Sequence, residues 1–202
     1  MANHVSNHIQ VRNISEAGQK VWDEYVCGTL AEDTDGHLGR FIAHAVAEDG
    51  DLLNEDGEQL TRSDMCEHIG AKWAYAEDYD DTYMNVQSAW SPVGEFVQMI
   101  AQKIGEVDPT VELILTYEDE GLNFVGVCTY DKDGQDTDNY LDYDEVLELI
   151  REQDPQLKEW WDEEECDWKE EHEEEARDLL WDVQSEAIYE WQMENAVWST
   201  SI

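Results

Sequence analysis

Basic side chains are scarce in this chain: 11 Lys+Arg stand against 51 Asp+Glu, a formal charge of −40. Such a charge repels anionic lipid and nucleic acid, which argues against direct binding to either. There are only three prolines and no Ser/Gly-rich tract, so no flexible linker marks a boundary. No apolar run approaches the roughly 20 residues that span a bilayer. The opening MANHVSNHIQV lacks the basic start and apolar stretch of a secretory leader, and the expectation is a cytoplasmic protein. Cys27, Cys66, Cys128 and Cys166 include no C-x-x-C pair. They read as reduced thiols, mostly buried, rather than a disulfide framework or a zinc site.

Catalytic motifs are missing too. The chain has no G-x-x-x-x-G-K-[ST], no G-x-G-x-x-G after a strand, no H-E-x-x-H and no G-x-S-x-G. His4 and His8 share a side of a strand but lack a third ligand. Asp131, Asp133, Asp136 and Asp138 fail the calcium-loop pattern, because its glycine position holds Asp136 and its final glutamate position holds Asp142. Close carboxylate pairs are inevitable among 51 acids and carry no catalytic information. The expectation is no enzyme, no cofactor and no metal.

Nine Trp and nine Tyr provide for a packed core despite the charge. Residues 4–12 suit a strand, and Ser15 caps a helix over 16–27. Residues 28–35 read as loop, and Leu38, Phe41, Ile42, Ala45 and Val46 give a second helical stripe. A short helix over 62–69 stops at Gly70. Lys72–Glu77 and Tyr83–Trp90 read as paired strands. Ser91-Pro92 opens a helix, with hydroxyl at the cap and proline at the first position. Val111–Tyr117 and Asn123–Tyr130 form a hairpin, followed by an acidic turn over 131–139. Setting residues 28–70 aside as an insertion, the order is the ferredoxin-like split βαβ with one added strand, an α+β fold with an antiparallel sheet. Asp142 and Glu145 form a capping box for a helix over 143–152. The expected division is a ferredoxin-like domain over 1–140 and an acidic, Trp-rich helical tail over 141–202.

The runs GAKWAYAED, SAWSP and VELILTYEDEGLNFVG, within Gly70–Gly126, resemble the YubB-type ferredoxin-like domain of bacteriophages and conjugative plasmids. That family places a short helix before a G-[TA]-K-W strand, opens its second helix with T-A-W-S-P-P and follows with an E-x-G-x-x-F-x-G hairpin. The resemblance covers about the first 130 residues, although Met-Ala-Asn-His replaces the usual opening Asn-Trp pair. It implies the fold and a mobile-element origin, and it supplies no catalytic residues.

The tail lies outside that resemblance. Between Pro155 and Trp198 sit sixteen acids, three bases and six of the nine tryptophans. Trp161, Trp168, His172, Ala176, Leu180, Val183, Ala187, Trp191 and Trp198 recur at steps of three, four or seven, which predicts one long amphipathic helix, broken at most once. Forty-four helical residues span ~66 Å, against ~19 phosphates on one DNA strand of that length. Sixteen acids against nineteen phosphates is a similar linear charge. The pattern points to a DNA mimic from a phage or mobile element, acting as an inhibitor against host defence. It would occupy the nucleic-acid site of a basic host protein: a defence nuclease, a nucleoid protein or RNA polymerase. The expected contact set is Glu163, Glu164, Glu165, Asp167, Glu170, Glu171, Glu173, Glu174, Glu175, Asp178 and Asp182, with Trp161 and Trp168 as anchors or as core. The alternative is a structural or oligomeric accessory phage protein, such as a homodimer through the Trp face, whose acidity serves solubility or salt adaptation. Residues 1–141 carry net −22 and residues 142–202 net −18, a spread that fits both readings.

Overall fold

The computed structural model describes residues 3–28 and 36–196. The first strand, β1 (His4–Arg12), sets the plan by strict alternation. Val5, Asn7, Ile9 and Val11 are buried on one face, while His4, Ser6 and His8 look out from the other. Next in the chain is α1 (Glu16–Trp22), capped by Ser15 and continued by a π-helical stretch over Asp23–Gly28. The helices α2 (Arg62–Ile69), α3 (Gly94–Gly105) and α4 (Tyr143–Gln153) follow, interleaved with strands β4 (Ala74–Tyr79), β5 (Tyr83–Ala89), β6 (Glu112–Asp119), β7 (Phe124–Asp131) and β8 (Gly134–Asp142). A two-residue pair, β2 (Ala45–Val46) and β3 (Leu52–Leu53), precedes α2.

The main sheet runs β4-β5-β1-β6-β7-β8, and every neighbouring pair is antiparallel. Its first four strands have the ferredoxin-like order. Two strands, not one, are added at the β6 edge. On one face Val5, Ile9, Val11, Met84, Val86, Leu113 and Leu115 pack against α1, α2 and α3 through Trp22, Ile69, Val97, Ile100 and Ile104. On the other, Val125 meets Val146 of α4, Leu157 of α5 (Pro155–Trp160) and Ala176, Ala187 and Ile188 of α6 (Glu173–Asn195). Gln192 bonds α6 to the sheet by donating to the carbonyls of Tyr117 and Gly126. The acidic tail therefore packs on the sheet.

Four expectations are corrected. The stripe over 38–46 forms only a 3₁₀ turn (Leu38–Phe41), because the turn through Asp49-Gly50, with Gly50 at φ 88°, folds β3 back onto β2. Ser91 does not cap α3. Its hydroxyl donates to the Gly70 carbonyl, and α3 starts at Gly94 after Val93, whose N–H bonds to Asn7 Oδ1. The acidic turn is a strand: β8 pairs with β7 from Gly134 to Asp142. The long tail helix is α5, a small hairpin of β9 (Trp161–Asp162) and β10 (Asp167–Trp168), a 3₁₀ turn over Glu170–His172 and the 23-residue α6. Of the loop expected over 28–35, Gly28 ends the π-helical stretch and 29–35 lie outside the described residues, as do the stripe position Trp198 and the side chain of Cys27.

Candidate functional site

All eleven acids of the expected contact set are exposed, but they divide among three elements. Glu163, Glu164 and Glu165 occupy the turn between β9 and β10, and Asp167 lies on β10. Glu170 and Glu171 belong to the 3₁₀ turn, while Glu173, Glu174, Glu175, Asp178 and Asp182 ride the first half of α6. The turn is folded by Asp162, which accepts the N–H groups of Glu164 and Glu165, and by Cys166 at φ 52°. Only three of the eleven have a basic neighbour among the described residues: Glu163 with Arg151 at 3.8 Å, Glu171 with His172 at 3.8 Å and Glu173 with Arg177 at 2.6 Å.

Beneath them the apolar residues hold the elements in place. Trp161 and Trp168 face each other across the hairpin, with ring centroids 5.0 Å apart, and Arg151 lies 4.0 Å over the Trp161 ring. Both tryptophans are half-buried, each packed on the other with part of its ring exposed. His172 stacks on Trp160 at 5.0 Å. Ala176, Leu180, Val183, Ala187 and Trp191 all pack into the second core with Val125 and the apolar residues of α4 and α5, as their spacing indicates.

A second surface has no counterpart in the sequence reading. Among the described residues α6 covers the β6–β7 side of its face, and no helix lies over the outer side chains of β1, β4 and β5. A groove of about 670 Å³ lies between them. Ser6, His8, Gln10, Asn85, Thr116 and Glu118 form its sheet side, and Ile188, Tyr189, Gln192 and Met193 its helix side. A shallower depression lined by His4, Trp73, Tyr75, Gln87 and Glu120 shares Ser6 and Glu77 with it. His4 and His8 do share a face, but each has its own partners: His4 meets the Trp73 ring edge-on, and His8 Nδ1 pairs with Asn85 Oδ1 at 2.7 Å. The partial desolvation of Glu118 in this concavity raises its pKa above the usual glutamate range. The sequence carried one signal of this surface, alternating uncharged polar residues at 4, 6, 8 and 10 of a strand.

Burial pushes the Cys128 thiol up to about 12, far from a reactive thiolate. Cys66 and Cys166 are exposed free thiols. Among the described residues no group of three or more His, Cys, Asp or Glu is arranged to hold a metal ion. No described helix is long and apolar enough to cross a membrane.

Fold and surface together define an α+β protein with a ferredoxin-like sheet, backed by an acidic hairpin and a long acidic helix. Residues 70–160 match the family described as the ferredoxin-like domain in Api92-like protein. The match begins at the G-A-K-W run and takes in β4 through α5, reaching beyond the 130 residues of the expected resemblance and leaving β1 and α6 outside. Its description names a fold and no reaction. No curated protein and no solved structure matches the chain.

Proposed function

We propose that the protein is a non-enzymatic acidic binding module of YubB-type, mobile-element origin, which occupies the nucleic-acid site of a basic host protein as a DNA mimic. The observation that carries this reading is the set of eleven exposed carboxylates on the hairpin and the first half of α6. Eight of them have no ion-pair partner among the described residues. Unpaired carboxylates held on packed elements present charge without the entropy loss of ordering loose chains. The array is shorter than a continuous helix would make it: its α6 part, Glu173 to Asp182, spans ~15 Å, the length of about four phosphates on one strand. The hairpin and the 3₁₀ turn carry the remaining carboxylates, so the charge is not laid out on one continuous helix. A defence nuclease, a nucleoid protein or RNA polymerase in the host cytoplasm has the required chemistry.

The test is affinity capture from host lysate at low salt, eluted with duplex DNA. One dominant nucleic-acid-binding protein is the expected product. Reversing Glu163, Glu164, Glu174 and Glu175 to Lys should abolish its capture. Undiminished capture by that variant would refute the reading, and self-association without such a partner would favour an oligomeric accessory role.

A further inference from the structure

The groove between α6 and the bare side of the sheet is rich in acceptors that no described residue pairs. Thr116 and Gln192 are each 8% exposed, and both line it. Gln192 spends its Nε2 on two sheet carbonyls, and its Oε1 has no hydrogen bond among the described residues. Thr116 Oγ1 has none either. Both residues line the groove, and neither oxygen is fully enclosed. Glu118 and Glu77 add two carboxylates with no basic neighbour among the described residues, and Glu120 stands in the adjoining depression. No Lys or Arg lines either part. Tyr189 on one wall and Trp73 and Tyr75 in the depression supply aromatic rings, with Trp73 and Tyr75 at 5.6 Å.

This chemistry selects its occupant. Unpaired acceptors on two nearly buried residues, with carboxylates and aromatic faces beside them, match a guanidinium, which offers five donors in a planar fork and no acceptor. An ammonium is a point charge and would leave part of that acceptor set unpaired. A second copy of the chain brings another −40 and is repelled. Nucleic acid and anionic lipid are repelled likewise. The uncharged side chains of Ser6, Gln10 and Asn85 along the floor can pair with a peptide backbone. We infer that this groove is a docking site for an extended peptide segment bearing arginine, with a guanidinium seated between Glu118, Thr116 and Gln192. The site is separate from the hairpin carboxylates and does not depend on their having a partner.

A blocked six-residue peptide with arginine at alternate positions tests this by calorimetric titration at about 0.15 M NaCl, where long-range attraction is screened. One-to-one binding is expected, weakened about tenfold or more in a Glu77→Gln/Glu118→Gln protein. The hairpin triple Glu163→Gln/Glu164→Gln/Glu165→Gln removes more charge, yet should stay within about twofold because it lies outside the groove. Thr116→Val keeps the strand's shape and should weaken binding several-fold, a second readout if the double variant misfolds. The lysine version of the peptide should bind at least about fivefold more weakly. Absence of binding at this salt, a hairpin triple as weak as the groove double, or equal affinity for lysine would each overturn the inference. The host-capture experiment can fail without touching this result, since no host protein enters the titration.

Discussion

Asp108 is 4% exposed and ties the start of α1 to the α3–β6 connection. It accepts the Ser15 N–H at 2.5 Å and both the N–H and the hydroxyl of Thr110. Those bonds, the Ser15 one foremost, favour the carboxylate and lower its pKa to about 2. A group depressed on folding contributes stability that is complete above its unfolded pKa, near 4, and disappears as pH falls through about 2. Asp108→Ala should therefore cost about 2 kcal/mol at neutral pH. It should also flatten the acid limb of a stability-versus-pH curve between about pH 4 and 2, measured by urea unfolding. Asn7 plays a comparable part inside the first core. Its Nδ2 donates to the carbonyls of Val5 and Val86 and to Ser88 Oγ, and its Oδ1 accepts from Val93. Ser88 passes the network to the Ser91 carbonyl, and Ser91 Oγ closes it on Gly70. The S-A-W-S-P run was legible as a motif, but its job was not, since Asn7 lies 81 residues before Ser88. The run joins strand, helix and turn. Asn7→Ala should destabilise by about 2–3 kcal/mol while leaving affinity at the acidic surface unchanged. Gly126 is fixed by space rather than by φ: a Cβ there would sit 2.2 Å from the Tyr117 ring.

At the scale of elements, the sequence misled where two periods coincide. Trp161 and Trp168 lie seven residues apart, which is two helical turns, yet they are direct cross-strand partners in a hairpin. The acid-rich turn between them carries no proline or glycine, so nothing in its composition announced a break. β8 was missed for a different reason. GQDTDNYLD has few strand-forming residues, because this outermost strand packs on one neighbour only. Its exposed Asp136 and Asp138 blunt an edge that would otherwise recruit another chain. By contrast β1, β5, β6, β7, α3 and α4 were legible, since their apolar period matches the face they bury. The Asp142–Glu145 capping box forms as read. Of the candidate site, the acids were legible as exposed positions, whereas the groove draws on β1, β4, β5, β6 and α6 and could not be assembled from local spacing. The hairpin also yields a test of pre-organisation. Trp168→Ala removes the edge-to-face pair with Trp161 and should destabilise the hairpin by about 2 kcal/mol. Partner affinity should fall severalfold with no change in charge, as the Glu163–Glu165 turn loses its fixed position. Unaltered affinity in a binding titration would mean that charge alone suffices.

For the whole molecule, six Lys or Arg ion pairs among the described residues relieve little of a −40 charge. Every one of them involves an exposed acid, and exposed pairs contribute little. The folded chain therefore holds its carboxylates together against their own repulsion, which extends ~30 Å at 0.01 M salt and ~8 Å at 0.15 M. Stability and partner binding should respond to salt with opposite signs. Raising NaCl from about 0.01 to 0.5 M should lift the melting temperature by several degrees, because screening weakens self-repulsion in the compact state more than in the expanded one. Over the same range, capture of a basic partner should collapse, because the attraction that forms the complex is screened equally. Calorimetric melting and binding titration on one salt series check both signs. A surface selected only for life in salt has no reason to show the second. If melting rises while no basic protein or peptide is bound at low salt, acidity is an adaptation of the fold and the carboxylate array has no partner.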